Sequence, residues 1–345
     1  MASLRHPGVR AALLAAALFG AGTPCAKLLL SDVSPLMLAG LLYIGSGVGM
    51  TAIRLAKRAP RVRLATDDRL PLAGAIVFGG VLGPVLLLLG LSSMPASGAS
   101  LLLNAEGVFT ALLAWFLFRE NFDRRIALGM VAIVAGAAIL SVPGGAEFTS
   151  AWPALAILAA CACWGLDNNL TRKVSLHDAT WLAAIKGVVA GLVNLALALV
   201  VGAHVPSAGY VGAAMVVGFF AYGVSLVLFI VALRHLGTAR AGAYFSAAPF
   251  FGALLAIALG DPVTVPLIIA GLLMAVGIAL HLTEKHAHNH THVALEHEHW
   301  HSHDEHHRHE HAELVSAGAW HSHAHVHQPM THAHQHYPDA HHRHH

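Results

Sequence analysis

Ten apolar stretches, each about 18 residues or longer, follow one another along this chain, the first near 11–30 and the last near 263–282. Each can cross a hydrocarbon core of about 30 Å as a helix. Lipid offers no partner to backbone N–H and C=O groups, so a spanning segment must satisfy them internally. A β-barrel would alternate polar with apolar residues, whereas these runs are continuously apolar. The expected fold is therefore an all-α membrane protein with ten transmembrane helices in a lipid bilayer. Composition agrees: 56% of residues are hydrophobic and 11% charged, against about 25% charged in ordinary soluble domains.

The basic residues support the helix count. Arg5 and Arg10 precede the first stretch. Arg54, Lys57, Arg58, Arg61, Arg63 and Arg69 lie in the second loop, and Arg119, Arg124 and Arg125 in the fourth. Arg172 and Lys173 lie in the sixth, Arg234 and Arg240 in the eighth, and the odd-numbered loops have none. By the positive-inside rule, both termini are expected in the cytoplasm and the protein in the cytoplasmic membrane, as a multi-pass chain. Arg5 and Arg10 before AALLAAALFGAG could also open a cleavable signal peptide, but this stretch resembles a later part of the chain and reads as a span. Cys25, Cys161 and Cys163 all fall inside spans, where a small apolar packing role is the default.

The chain repeats itself. FGAGTPCAK (19–27) lines up with WGLDNNLTR (164–172), and NAEGVFTALLAWFLFRE (104–120) with SAAPFFGALLAIALGD (246–261). Gly129 corresponds to Gly271 in the helix that follows each. Residues 11–142 and 152–282 thus form two repeats of five helices, flanked by an N-terminus of 1–10 and a tail of 286–345. Five is odd, so the second repeat enters the membrane inverted, as in many secondary transporters.

This layout resembles the drug/metabolite transporter superfamily of the EamA type over about residues 11–282. The glutamate-proline pair of that family is split here: Glu106 is followed by Gly107, and Pro249 is preceded by Ala248. The resemblance implies a secondary transporter, usually an exporter, driven by an ion gradient or by its substrate's own gradient. No G-x-x-x-x-G-K-S/T motif for nucleotide binding occurs. Neither an enzyme nor a nucleic-acid partner is expected.

Ionisable side chains inside a membrane carry a penalty of roughly 2.5–3.5 kcal/mol on insertion scales and mark functional positions. Candidate residues along a substrate path are Glu106 and Asn104 in the fourth helix, Asp167, Asn168 and Asn169 in the sixth, and Lys186 and Asn194 in the seventh. Asp167 has a competing reading as a structural partner of Lys186, which sits at similar depth. Asn194 could equally make a hydrogen bond between helices. Lys27, near the outer end of the first helix, is expected to snorkel. Pro24, Pro84, Pro95 and Pro249 free carbonyl groups that can line a cavity.

The tail holds 23 of the chain's 28 histidines. Low hydrophobicity without an apolar period predicts disorder in the absence of a ligand. Imidazole suits Ni, Co and Zn ions, whereas Mg²⁺ and Ca²⁺ prefer oxygen. In an extended H-x-H both rings lie on one side. The expected metal ligands are His286, His288, His290, His292, His297, His299, His301, His303, His306, His307, His309, His311, His321, His323, His325 and His327. No cofactor is expected to be required. Superfamily members with such tails resemble nickel and cobalt resistance exporters. The leading expectation is therefore export of a divalent transition-metal ion, and the alternative is export of amino acids or other small metabolites with the tail as metal sensor or buffer.

Overall fold

The structure, a computed structural model, describes residues 7–60, 62, 64–118, 124–141, 151–174, 177–236 and 244–282, together with 287–292, 295–301, 321–327 and 330–335. The chain divides into a helical body, Met1–Glu284, and a tail, Lys285–His345.

The first repeat contains α1 (Pro7–Leu29), α2 (Pro35–Ala56), α3 (Thr66–Ala75), α4 (Gly83–Ser92), α5 (Ala96–Leu102), α6 (Ala105–Phe118) and α7 (Arg124–Ser141). The second contains α8 (Trp152–Val174), α9 (Ala179–Val200), α10 (Ala208–Gly218), α11 (Ser225–Leu236), α12 (Ala248–Ala258) and α13 (Val265–Leu282). These helices make up ten spans. α3 and α4 form the third, joined by the π-helical turn Ile76–Leu82, and α10 and α11 form the eighth, joined by Phe219–Val224. The fourth comprises α5 and α6.

Among the described residues, six helices are long and apolar enough to cross a membrane. Local chemistry sets several boundaries. Pro35 opens α2 at a position where a missing N–H does no harm. Gly202, at φ 80°, ends α9 in a conformation that suits a residue without Cβ.

The second and fifth spans each pack antiparallel against their equivalents in the other repeat. The second spans, α2 and α9, meet where a Cβ on Gly47 would lie 2.4 Å from the Val188 backbone nitrogen. The fifth spans, α7 and α13, meet with Gly277 against the Gly129 carbonyl. Such contacts let backbones approach closely, which is how helices associate in lipid. The other contacts follow the same symmetry. α1 packs on α11 and α12, and its counterpart α8 packs on α4 and α6.

Four described segments of the tail are extended. β1 (Ala287–His292) pairs antiparallel with β4 (Met330–Gln335), and β2 (Leu295–His301) with β3 (His321–His327). Alternation of histidine with other residues has the period of two that suits a strand. The register sets His288 opposite His334, His290 opposite His332, His297 opposite His325, His299 opposite His323 and His301 opposite His321.

Candidate functional site

The centre of the body is organised by the π-helical turn in the third span. Pro84 has no N–H to offer the carbonyl four residues earlier, and Gly83 N–H reaches back to Phe78 O, past Gly79. Two neighbouring carbonyls, Gly79 and Gly80, therefore need partners from elsewhere. Tyr43 Oη donates to Gly79 O at 2.6 Å and Trp164 Nε1 donates to the same oxygen at 3.0 Å. Asn194 Nδ2 donates to Gly80 O at 3.0 Å. Three spans are thus tied to the third by its own irregularity.

The same turn makes room for charge. Lys186 on α9 forms an ion pair with Asp167 on α8, and Thr171 Oγ1 donates to the other carboxylate oxygen, Asp167 Oδ1, at 2.9 Å. A Cβ on Gly79 would fall 1.9 Å from Asp167 Oδ2, so only glycine fits there. Asp167 is 6% exposed. Its charge is acceptable at that burial because it is paired and hydrogen-bonded.

Glu106 heads a second polar group. The fourth span is broken at Leu103–Asn104, so Glu106 lies in the first turn of α6, where the helix dipole favours a carboxylate. Hydropathy alone suggests an unbroken helix in which nothing offsets that carboxyl. Glu106 Oε1 accepts from Asn168 Nδ2 at 2.8 Å. Asn168 Nδ2 also reaches Thr110 Oγ1 at 3.2 Å, and that hydroxyl donates to Glu106 O at 2.8 Å. Asn169 Nδ2 donates to Gly165 O at 2.8 Å and to Thr110 O at 3.2 Å, fastening α8 to α6. Asn104 Nδ2 bonds to Leu101 O at 2.9 Å and contacts Met274 Sδ at 3.6 Å.

The structure therefore brings Glu106, Asn168 and Asn169 together, and Asp167 with Lys186. Asn104 bridges the break in its own span, and Asn194 serves Gly80 as an interhelical tie. Asn194 Oδ1 is buried with no hydrogen-bond partner among the described residues. Sequence reasoning did not single out Tyr43, Tyr222 or Phe245. Tyr43 and Tyr222 have ring centroids 5.2 Å apart, Tyr222 and Phe19 6.0 Å, Phe19 and Trp164 6.5 Å, and Phe19 and Phe245 5.5 Å. Tyr222 falls within the second π-helical turn, which the repeat aligns with the first.

The repeats treat that turn differently. Laying 104–120 on 246–261 sets Gly79 on Ala221 and Gly83 on Ser225. Ser225 N–H reaches back to Phe220 O, as Gly83 does to Phe78 O. The carbonyl left over, Ala221 O, is taken by the Ser225 hydroxyl within the same helix.

At the arginine-rich end, Arg54 Nη1 lies 2.9 Å from Asp178 Oδ2, and His177 Nε2 lies 2.9 Å from Asp68 Oδ2. Burial raises the Asp178 pKa, but hydrogen bonds from Trp181 N–H and Arg54, with the Arg54 charge, outweigh it and hold the carboxyl below its usual value. No group of three or more histidine, cysteine or carboxylate residues gathers among the described residues. His286, His303, His306, His307, His309 and His311 lie outside the described residues.

The model of the EamA-like transporter family matches residues 6–142 and again 151–283, once for each repeat. The chain belongs to the EamA-like transporter family. Among its relatives, an uncharacterized transporter of Methanothermobacter thermautotrophicus is 30% identical over 281 residues, covering 75% of this chain and 81% of the relative. A probable amino-acid metabolite efflux pump of Salmonella typhimurium is 26% identical, covering 48% of this chain and 54% of the relative. One crystal structure superposes with a TM-score of 0.60 at 20% identity, covering 79% of this chain and 95% of the other, which shows a shared fold.

Proposed function

We propose that this transporter exports a divalent transition-metal ion, nickel or cobalt foremost, across the cytoplasmic membrane, with both termini on the cytoplasmic side. The observation that carries the reading is the charge balance of the central polar groups. A lone ammonium in the path would repel a dication by several kcal/mol at an effective dielectric of about 20. Lys186 is instead paired with Asp167, while Glu106 takes its hydrogen bond from the neutral Asn168 amide. Glu106, with the oxygens of Asn168 and Thr110, offers hard oxygen ligands, which bind a transition-metal ion weakly enough to release it. The H-x-H tail adds the imidazoles that favour transition metals over Mg²⁺ or Ca²⁺.

A second reading, export of an amino acid or another small metabolite, draws on two observations. The Salmonella relative is named a probable amino-acid metabolite efflux pump. The Asp167–Lys186 pair also carries the two charges that a zwitterion presents, with an aromatic series beside it. Proteoliposomes offered Ni²⁺, Co²⁺ and Zn²⁺ in one set and a panel of amino acids in another separate the two readings. Metal uptake that is lost in Glu106→Gln supports the first. Amino-acid uptake with no metal movement overturns it.

A further inference from the structure

Away from the arginine-rich loops, the ends of α1, α4, α5 and α12 come together. Lys27 Nζ donates to Leu91 O at 2.7 Å and to Ser92 O at 3.3 Å, carbonyls at the end of α4. Asp261 Oδ2 accepts from Ser97 N–H at 2.7 Å, in the first turn of α5. Each charge meets the helix end of opposite sign, and the Asp261 charge also acts on Lys27. Lys27, Leu91 and Ser97 belong to the first repeat and Asp261 to the second, so the Asp261–Ser97 bond joins the two halves.

Just inward, the same spans touch through their backbones. A Cβ on Gly20 would lie 2.2 Å from Ala248 O, and a Cβ on Gly252 would lie 2.7 Å from both Gly20 O and Ser100 Oγ. Ser100 is 1% exposed, and its hydroxyl has no hydrogen-bond partner among the described residues. Gly107 and Asn168, beside Glu106, are both exposed.

We propose that Asp261 and Lys27 form the latch that closes the transport path at the end away from the arginines, and that the structure has this latch shut. Rocking one repeat against the other must break the Asp261–Ser97 bond. Lys27 is a positioning residue: its bonds lie within the first repeat and hold the end of α4 so that Ser97 stays beneath Asp261. The latch is independent of what the transporter carries, and Lys27 is bound rather than snorkelling freely.

The test uses the full chain with Cys25, Cys161 and Cys163 replaced by alanine and Ser100→Cys as the reporter. It is reconstituted in vesicles and probed from the latch side with a membrane-impermeant maleimide. The reporter should be protected while the latch is intact. Asp261→Asn should raise labelling about tenfold, the population shift expected on losing one charge-assisted hydrogen bond, and Lys27→Gln should raise it by less. Thermal unfolding confirms that each variant is folded. Free labelling with the latch intact overturns the proposal, and so does unchanged labelling in a folded Asp261→Asn protein.

Discussion

Asp167 and Lys186 form an ion pair pressed against Gly79, in a space that exists only because position 79 has no side chain. Charge, helix irregularity and glycine are a single arrangement at this point. Gly79→Ala is accordingly expected to be among the most disruptive single-methyl changes in the body. Overpacking of this kind destabilises by about 1–3 kcal/mol. The thermal midpoint in detergent should fall, and transport by proteoliposomes should fall with it.

Lys186→Met and Asp167→Asn should each destabilise strongly, because removing one partner leaves the other charge buried and unpaired, at about 3–5 kcal/mol in well-buried cases. The double variant should recover much of that loss. Denaturation of the single and double variants in detergent gives the cycle, and a double variant no better than the worse single one would contradict the pairing.

The Gly79 carbonyl has two donors, so removing one should be mild and removing both severe. Tyr43→Phe leaves Trp164 Nε1 in place and should lower stability by about 1 kcal/mol, the net worth of a typical hydrogen bond. Tyr43→Phe combined with Trp164→Phe should lower it by more than the sum of the two single changes. Chemical denaturation of the three variants measures the difference.

Asp178 caps α9 through Trp181 N–H at 2.9 Å and pairs with Arg54. Its carboxyl has a lower pKa folded than unfolded, so its stabilising contribution is present above the ordinary carboxylate pKa of about 3.9 and is lost as pH falls through the lower, folded value. Asp178→Ala should lose about 1 kcal/mol of capping at neutral pH. It should also flatten the fall of thermal midpoint below about pH 4. A midpoint measured from pH 3 to 7 for both proteins checks this.

Much of the architecture was legible in the sequence, because continuous apolar runs, a one-sided arginine pattern and a repeated glycine-and-charge order each constrain it independently. Asp167 and Lys186 could be paired in advance, since two opposite charges at similar depth on neighbouring spans have few other partners. The break at Leu103–Asn104 and the π-helical turns were not legible, because every residue through Ile76–Leu82 is apolar or glycine and hydropathy passes smoothly over it. Pro84 did announce a freed carbonyl. Nothing local said that Asn194 would claim it, since that depends on how α9 approaches the third span. Tyr43 and Tyr222 were hidden for the same reason: an aromatic ring in an apolar helix reads as packing until its neighbours are known.

The unequal treatment of the two π-helical turns divides the freedom of the molecule unevenly. The eighth span keeps Ala221 satisfied by its own Ser225, and it can tilt as a rod without forfeiting that bond. The third span cannot shift against the second, sixth or seventh without stripping Tyr43, Trp164 or Asn194 from its carbonyls. Spans of both repeats are therefore fastened into one frame around the charges, whereas the eighth span satisfies its turn from within.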